Sequence, residues 1–506
     1  MDAAAIRALR ADLDAAHFTV ERLTALWGPV AEAALERGDR VPAVRALRDD
    51  TAAAVLARLF VLGLDADPVS AAAALPSLGL DGAASLGLLD VGGPRVLPLL
   101  DLRPYSFLDP RGTGRWWIAS DLGEIATGRP LRTDHVLGVG GASVTLSGLL
   151  LPGPVDTALD LGTGCGIQAL HLAREARRVV ATDISQRALD LAALNAALNG
   201  VDTIEFRRGS LFEPVADERF DRVVSNPPFV ITPRRDDVPE YEYRDGGAVG
   251  DAIVSGIVGS VAEHLVPGGV AQLLGNWEYR DTEDGLQRAI GWTDPGGLDA
   301  WIVERETLDP ARYAETWIRD GGTQPSSPGY EALVGAWLDD FASRGVTGIG
   351  FGYLLLRRPE GDRMLRRAER LDAPLGDGSA LGAHLASVLA AHDAVSALDD
   401  AGVLALHPVV APDVTEERSH WPGDEHPTVI TLRQGGGFHR ELPVGTALAA
   451  VVGACDGELS LGAILGAVAS ILDADVDALA AEIVPQVREL AIGGLLSVGE
   501  PDENGG

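Results

Sequence analysis

The sequence predicts an α/β fold, in which a doubly wound, seven-stranded sheet is flanked by mainly helical N- and C-terminal domains. Short apolar runs alternate with helical patterns from residue 156 to residue 356, as expected for strands joined by crossover helices. A glycine-rich turn at residues 162–166 directly follows the first apolar run and precedes a helical pattern. The chain has 506 residues, of which 46% are hydrophobic and 23% charged, enough to bury a core in each of about three domains.

Residues 1–100 are predicted to form a helical N-terminal domain. Apolar residues such as Leu9, Leu13 and Phe18 recur at near-helical spacing, and prolines separate the segments. A Gly-Gly-Pro turn at residues 92–94 lies between two apolar runs and predicts a strand pair. Helices followed by such a pair suit a small winged-helix module. Residues 101–150 lead from this domain into the core.

Residues 151–360 are predicted to be the core. Seven apolar segments have the character of buried strands, at residues 157–161, 179–183, 204–207, 221–225, 270–274, 300–304 and 348–356. Helical patterns lie between most of them, for example at 168–174 and 187–198. This alternation predicts a parallel sheet covered on both faces, and such sheets bind ligands at the carboxyl ends of their strands.

The remainder is predicted to be a linker over residues 361–380 and a winged-helix-like C-terminal domain over residues 381–506. The C-terminal part begins with short elements and continues as helices from residue 442 to residue 498, with glycines at the breaks.

Composition limits the classes of partner. Acidic residues outnumber basic ones by 74 to 41, for a formal charge of −33, which disfavours a broad electrostatic grip on nucleic-acid phosphates. The two cysteines make no disulfide framework, and the histidines show no metal-ligand spacing, so we expect no metal. The N-terminus lacks a signal-peptide pattern, and the one long uncharged stretch is interrupted by glycine and proline. We therefore expect a soluble cytoplasmic protein with no membrane association.

The run from Asp160 to Gly166, with the sequence DLGTGCG, is the sharpest motif. Its glycines let the backbone turn tightly and approach a ligand closely, although dinucleotide-binding enzymes use related loops. Asp160 precedes the first glycine and is placed to pair with a cationic ligand group, such as the ammonium of an amino acid. Asp183 ends the next strand, where a carboxylate can accept both ribose hydroxyl hydrogens. The alternative is that Asp183 only caps the following helix.

The second motif is Asn226-Pro227-Pro228-Phe229, at the end of the fourth predicted strand. The lone pair of a planar amino nitrogen, in an amide or a nucleobase, is delocalised. The Asn226 side-chain oxygen and the Pro227 carbonyl can accept its two hydrogens, which pushes the nitrogen toward tetrahedral geometry and aims its lone pair at an electrophile. The prolines rigidify the loop, and Phe229 can stack on the flat acceptor. A proline-rigid turn with a buried Phe is the structural alternative.

The two motifs together resemble a known enzyme family. The first is similar to motif I of the class I S-adenosylmethionine-dependent methyltransferases, and the second matches the (N/D)PP(Y/F) signature of amino-group N-methyltransferases. The resemblance covers residues 150–360 and implies a Rossmann-like core, S-adenosylmethionine as cofactor and S-adenosylhomocysteine as product. It implies the following cofactor-binding residues: Asp160, Gly162, Thr163, Gly164, Cys165, Gly166, Asp183, Ile184, Ser210, Leu211 and Asn226.

The resemblance also implies that Asn226, Pro227 and Phe229 are catalytic, and that Gly140 and Gly141 belong to a lid over the cofactor. Related enzymes commonly have Asp at the position of Ser210, where it accepts an adenine amino hydrogen, so adenine binding is expected to be weaker here.

Two branches of the family are similar to this sequence. The run from Tyr243 to Gly247 resembles the release-factor glutamine N5-methyltransferases, whereas Phe229 resembles the rRNA guanine-N2 methyltransferases, which usually have His where Val230 stands. Since the chain is acidic, a Gln or Asn side chain of a protein or peptide is the expected acceptor. The alternatives are an exocyclic amine of an RNA or DNA base, and an interaction module that binds the cofactor with little turnover.

Overall fold

The computed structural model describes residues 2–109, 111–128, 131–239, 241–371 and 381–498. The chain divides into two compact units. The first unit contains Met1–Ser147 and Gly153–Glu369, and the second contains Gly148–Pro152 and Arg370–Gly506. The N-terminal region and the sheet that carries the predicted motifs therefore belong to one unit.

The N-terminal part of the first unit is helical and ends in two antiparallel strand pairs. Its helices are α1 Ala3–Ala15, α2 Val20–Glu36, α3 Val41–Ala46, α4 Ala52–Leu56, α5 Pro68–Ala74 and α6 Gly79–Ser85, with a π-helical turn at Ala57–Val61. Its strands are β1 Leu89–Asp90, β2 Leu97–Pro98, β3 Leu100–Asp109 and β4 Gly112–Asp121, paired as β1–β2 and β3–β4. Helices α7 Glu124–Thr127 and α8 Gly141–Leu149 follow.

The core is an eight-stranded mixed sheet in the order β12-β10-β11-β9-β8-β5-β6-β7. Its strands are β5 Val155–Leu161, β6 Ala176–Asp183, β7 Ile204–Arg208, β8 Phe220–Ser225, β9 Leu265–Arg280, β10 Asp299–Leu308, β11 Val346–Arg357 and β12 Arg366–Arg370. Its helices are α9 Ile167–Leu172, α10 Gln186–Leu198, α11 Ala252–Ser260, α12 Gly285–Gly291, α13 Pro310–Asp320 and α14 Tyr330–Ser343, with short 3-10 turns at Glu213–Val215 and Val261–His264. All seven predicted strands are present, so the predicted α/β, Rossmann-like class is confirmed.

The sheet differs from the prediction in direction and in strand number. Strands β5 to β9 pair in parallel, but β11 runs antiparallel to both β9 and β10, so the sheet is not wholly parallel. The chain leaves β10, forms α13 and α14, and returns as β11 between β9 and β10. The eighth strand, Arg366–Arg370, lies in the segment predicted to be a linker. It is a charged, mostly half-exposed edge strand, and edge strands of this kind lack the apolar signal of buried strands.

The second unit combines helices with short antiparallel strands. Its elements are α15 Leu381–Ser396, α16 Asp400–Ala405, β13 Val409–Val410, β14 Val414–Ser419, β15 Val429–Gln434, β16 Glu441–Val444, α17 Thr446–Gly453, α18 Leu461–Leu472, α19 Val476–Ile492 and β17 Leu496–Ser497. Strands β14, β15 and β16 form one sheet, and β13 pairs with β17. The winged-helix likeness of the two terminal regions stays a prediction. In the described ranges, no helix combines the length and the apolar character that crossing a bilayer requires.

Candidate active site

The predicted site residues follow strand ends that are in register. In the parallel sheet Leu161 of β5 is paired with Thr182 of β6 and with Ser225 of β8. The next residue along each strand is therefore Gly162, Asp183 and Asn226, respectively. The Ser225 hydroxyl donates to the Leu161 carbonyl at 2.7 Å and is fully buried, which fixes β8 against β5 at this level. The structure thus brings the glycine turn, the second acid and the Asn-Pro-Pro motif to one edge of the sheet.

The glycine turn needs glycine for backbone conformation. Gly162, Gly164 and Gly166 have φ values of 76°, 55° and 86°, in the left-handed region that side-chain-bearing residues rarely adopt. A Cβ at Gly162 or Gly164 would meet no atom within 4 Å, whereas one at Gly166 would lie 2.9 Å from the Ala192 side chain. The first two glycines therefore leave open space beside the turn, and the third allows helix α10 to pack closely.

Asp160 lies beneath this turn. One of its carboxylate oxygens accepts hydrogen bonds, and the other accepts none from the described residues. Its Oδ2 accepts from the Thr163 hydroxyl at 2.5 Å and from the Ala169 amide at 2.9 Å. Its Oδ1 is buried and has no hydrogen-bond partner among the described residues. Burial, opposed by these hydrogen bonds, raises the pKa of Asp160 to about 7. An unpaired carboxylate oxygen in a low-dielectric position fits a cationic ligand group.

Asp183 accepts from the two backbone segments around it. Its Oδ2 accepts from the Gly164 amide at 2.9 Å, and its Oδ1 accepts from the Ser185 amide at 2.8 Å. The cap of helix α10 is Ser185, whose side chain accepts from Ala188, so Asp183 is not the capping residue. Desolvation raises the pKa of Asp183. Each carboxylate oxygen retains acceptor capacity, which suits the predicted ribose contact.

The predicted adenine side of the site is an exposed apolar rim. Ile184 is 60% exposed and Leu211 is 38% exposed, and Leu211 has a positive φ of 46°, which is uncommon for a residue other than glycine. The backbone joins the two loops, since Gly209 donates to the Asp183 carbonyl at 3.0 Å. Ser210 is half-buried between them. The two loops thus form one edge of the site, and the adenine contact of Ile184, Ser210 and Leu211 stays a prediction.

Asn226 also has a side-chain oxygen without a hydrogen-bond partner among the described residues. Its Oδ1 is buried and, within the described ranges, accepts no hydrogen bond, while Pro227 beside it is buried. A buried amide oxygen without a donor is costly. Its position directly after the Ser225 contact with β5 places it next to the glycine turn.

Phe229 contacts strand β11 and helix α13, one of the two helices inserted between β10 and β11. Its backbone forms an isolated bridge with Asp245, and its ring centroid lies 6.3 Å from that of Trp317 and 6.4 Å from that of Phe351. The alternative of a deeply buried Phe is not what the structure shows, because Phe229 is half-buried.

The loop after Phe229 is held by Tyr313, a residue that no sequence pattern singled out. The Tyr313 hydroxyl accepts from the Ile231 amide at 2.9 Å and from Asn276 Nδ2 at 2.8 Å. Tyr313 lies on α13 and is fully buried, as is Asn276 on β9. Ser225 is paired with Leu273 of β9, and Asn276 comes three residues later on that strand. The one available signal for Asn276 was a polar residue just beyond residue 274, where the sequence predicted this strand to end, whereas the strand continues to Arg280.

Asn195 is a second residue that the sequence analysis missed. Its Nδ2 donates to the Cys165 carbonyl in the glycine turn at 2.8 Å and to the Ala119 carbonyl at 2.9 Å, and its Oδ1 accepts from the Ala119 amide at 2.7 Å. It is fully buried on helix α10. Cys165 itself is buried, which raises the pKa of its thiol to about 11, so this side chain is a neutral spacer at neutral pH.

The predicted lid residues lie at the start of a helix. Gly141 is the first residue of α8, and a Cβ at Gly140 or Gly141 would meet no atom within 4 Å. Gln168 of α9, just after the glycine turn, donates to the Ser143 carbonyl at 2.8 Å. The segment therefore lies beside the turn, and a closing motion stays a prediction. No group of three or more potential metal ligands occurs in the part of the chain that the structure describes.

Comparisons with known proteins match two segments of the chain to family models and the core to curated methyltransferases. Residues 141–292 match the model of the methyltransferase small domain, and residues 15–99 match a domain of unknown function, DUF7059. Release factor glutamine methyltransferases are among the relatives: that of Geobacter sulfurreducens is 36% identical over 29% of this chain and 57% of its own length, and that of Xylella fastidiosa is 40% identical over 24% and 46%. A ribosomal protein uL3 glutamine methyltransferase from Bradyrhizobium diazoefficiens is 37% identical over 23% and 40%.

The chain spans about half the length of the curated relatives it matches. A solved methyltransferase from Pyrococcus furiosus is 18% identical, with a TM-score of 0.26 over 43% of this chain and 80% of its own. The family-model match contains both the glycine turn and the Asn-Pro-Pro-Phe motif. Residues 141–292 therefore resemble a methyltransferase small domain, and the chain is similar to the class I N-methyltransferases of the release-factor glutamine type, whose cofactor, S-adenosylmethionine, fits the glycine turn, Asp160 and Asp183.

Proposed function

We propose that the protein transfers a methyl group from S-adenosylmethionine to the side-chain amide nitrogen of a glutamine in a protein substrate. The observation that carries this proposal is the buried, unengaged Oδ1 of Asn226, held directly beside the glycine turn by the Ser225 contact with Leu161. An acceptor with two hydrogens on a planar nitrogen provides the donor that this oxygen lacks.

The chain's part in the reaction is to prepare that nitrogen. Asn226 Oδ1 and the Pro227 carbonyl each accept one amide hydrogen, which weakens conjugation of the nitrogen lone pair with the carbonyl and orients it. The cofactor supplies an electrophilic methyl group on a sulfonium sulfur. Phe229 is placed to cover one face of the acceptor amide. As the bond between the nitrogen and the methyl carbon forms, the bond between that carbon and the sulfonium sulfur breaks, which leaves S-adenosylhomocysteine. The nitrogen becomes acidic and loses one proton to solvent, so no strong base is required beforehand.

The residues proposed to bind the cofactor differ in charge and polarity, and each kind suits a different part of the cofactor. Asp160 Oδ1 is the acceptor for the ammonium of the amino-acid moiety, and Asp183 is the acceptor for the ribose hydroxyls. Ile184 and Leu211 contact the adenine faces, and Ser210 is the hydrogen-bonding partner at its edge. Gly162 and Gly164 bring backbone next to the ligand without side-chain clashes. Gly140 and Gly141 precede helix α8 beside the turn and are proposed to close over the cofactor.

Two facts favour a protein glutamine over a nucleobase. The relatives named above are release factor and ribosomal protein glutamine methyltransferases. The formal charge of −33 also opposes the approach of a polyanion, since nucleic-acid binding depends on clustered cations that release counterions. The opposing feature is Phe229, which resembles the guanine-N2 branch.

The test is transfer of radiolabelled methyl into a lysate that lacks the endogenous protein, followed by protease or nuclease treatment. Label released by protease, and lost in the Asn226→Ala variant, supports the proposal. Asp237→Asn is the matched control, because Asp237 is an exposed residue of the loop that follows Phe229, and its label should equal that of the wild type. Label released only by nuclease, or label that is the same in Asn226→Ala, contradicts it.

A further inference from the structure

Gln324 is an exposed glutamine in the loop that joins helices α13 and α14. The chain has seven glutamines, all within the part that the structure describes. The other six lie on helices or strands: Gln168, Gln186, Gln272, Gln287, Gln434 and Gln486. A helix with its side chains is about 10–12 Å wide, which keeps its backbone from following a glutamine into a narrow cleft. Among the described glutamines, Gln324 alone is exposed on a loop.

This loop begins at the end of α13, which is tied to the segment after Phe229. Arg244 Nη1 donates to the Trp317 carbonyl at 2.8 Å and to Asp320 Oδ2 at 2.7 Å. The Arg244 carbonyl accepts from the Val230 amide at 2.9 Å, one residue beyond Phe229. Arg244 therefore connects the Asn-Pro-Pro-Phe motif to the end of the helix from which the loop starts.

The first residues of the loop contact the same segment. The Tyr241 hydroxyl donates to the Gly321 carbonyl at 3.3 Å, and a Cβ at Gly321 would lie 3.0 Å from Arg244 Nη2. Gly322 has a φ of 87°, a left-handed conformation that ends the helix and turns the chain. Gln324 comes three residues after Gly321, so the two Cα atoms are at most about 11 Å apart. The glutamine is thus carried by a loop that starts on the acceptor side of the site.

The loop presents the Gln324 amide to solvent. The Ser327 amide donates to the Gln324 carbonyl at 2.8 Å, which closes a turn with Pro325 in its second position, where proline is favoured. The Gln324 side chain makes no hydrogen bond to any described residue, whereas the exposed Gln186 donates to Asp190 Oδ1 at 2.9 Å. Both hydrogens of the Gln324 amide are therefore available to an acceptor outside the loop.

The loop also lacks charge. Residues 321–330 have the sequence GGTQPSSPGY, which contains no acidic or basic residue, in a chain of formal charge −33. Two copies of so acidic a protein repel each other over about one Debye length, roughly 10 Å at 0.1 M salt. An uncharged, exposed segment meets the least of this repulsion when it approaches an active site of the same protein.

We propose that Gln324 is a methyl acceptor of the protein's own active site. This inference rests on the proposed transfer to a glutamine amide. The methyl carbon moves from the sulfonium sulfur to Gln324 Nε2, the carbon–sulfur bond breaks, and the nitrogen loses one proton to solvent. The products are N5-methylglutamine at position 324 and S-adenosylhomocysteine. The acceptor chemistry is the same whether the site belongs to the same molecule or to a second copy, and the test distinguishes the two.

The test incubates the purified full chain with radiolabelled S-adenosylmethionine in the absence of lysate, and tandem mass spectrometry locates the methyl group. The protein as purified is measured first, because the expression host also supplies S-adenosylmethionine. We expect a methyl group on Gln324 of the wild type, before or after incubation, and none on Asn226→Ala. A fractional labelling rate that is independent of protein concentration identifies transfer within one molecule, and a rate proportional to concentration identifies transfer between two copies.

Variants at exposed glutamines complete the test. Gln324→Glu should lose the label, because a carboxylate offers no nitrogen, and should unfold at the wild-type temperature, since the side chain is exposed. Gln287→Glu is the matched control, at an exposed glutamine of α12, and should be labelled like the wild type. The proposal is overturned if the wild type carries no methyl group on Gln324, if Asn226→Ala carries as much, or if Gln324→Glu keeps the label.

Failure of this inference differs from failure of the proposed function. Label in lysate proteins with none on Gln324 overturns self-methylation and leaves the proposed function standing. Label in neither the lysate proteins nor Gln324 overturns both.

Discussion

The position of Asp160 predicts that cofactor binding depends on pH in a specific direction. Burial raises the pKa of its carboxyl to about 7 in the free protein, so the group is mostly protonated at pH 6. Pairing its Oδ1 with an ammonium requires the ionised form. Binding should therefore release a proton, and affinity should rise with pH through the neutral range.

The size of the effect follows from the same pKa. About one-eleventh of the molecules are ionised at pH 6 and about half at pH 7. If only the ionised form binds well, the Kd for S-adenosylhomocysteine should fall about fivefold between these two pH values. The ammonium of the ligand stays largely protonated over this range, since α-amino groups titrate near pH 8. Burial lowers the pKa of His171 to about 3, so this imidazole stays neutral over the range, and burial also lowers the pKa of His135.

Isothermal titration calorimetry at pH 6, 6.5 and 7 measures this dependence, and buffers of different ionisation enthalpy report the released proton. Asp160→Asn should bind about 10- to 100-fold more weakly at pH 7, because a charge-assisted hydrogen bond is lost, and its affinity should not change with pH. Asp101→Asn is the control, since Asp101 is a buried carboxyl of β3 whose pKa burial raises to about 6. A wild-type affinity that does not change with pH, or an Asp160→Asn affinity that still does, would contradict this role of Asp160.

Three further substitutions test how the site is held together. Tyr313→Phe keeps the aromatic packing but leaves the Ile231 amide and Asn276 Nδ2 without their acceptor. Methyl transfer should fall, while the affinity for S-adenosylhomocysteine should stay within about twofold. An equal loss of transfer and affinity would contradict a role confined to the methyl-acceptor side of the site. Gly164→Ala places a side chain at a φ of 55°, which should lower the free energy of unfolding by about 1–2 kcal/mol in chemical denaturation and weaken the ligand; unchanged stability would argue against the left-handed turn. Asn195→Leu removes the hydrogen bonds to Cys165 and Ala119 and should lower the thermal midpoint by several degrees, a shift that bound S-adenosylhomocysteine partly reverses; a variant as stable as the wild type would show that these bonds are dispensable.

The sequence predicts those residues of the site that directly follow the ends of strands. Gly162, Asp183 and Asn226 each follow an apolar run, and parallel strands bring their carboxyl ends to one edge. This prediction required no knowledge of contacts between residues far apart along the chain. The same regularity made the seven core strands recognisable.

The contacts that the sequence did not predict come from residues far apart along the chain. Tyr313 reaches Ile231 across 82 residues and Asn195 reaches Ala119 across 76, and local patterns contain no information on such pairs. Strand β11 is mostly apolar and buried, as the parallel strands of the sheet are, so its composition does not reveal its antiparallel direction, which depends on the α13–α14 connection. Strand β12 is charged because it lies at an edge.

In the proposed reaction, Asn226 prepares a glutamine amide nitrogen for methylation. The most direct measurement is tandem mass spectrometry of the protein fraction that becomes labelled in the lysate, comparing the wild type with Asn226→Ala. We expect one added methyl group on the side-chain nitrogen of a glutamine with the wild type, and none with the variant. A methyl group on a nucleobase, on a lysine or arginine, or on the same glutamine with both proteins would contradict it.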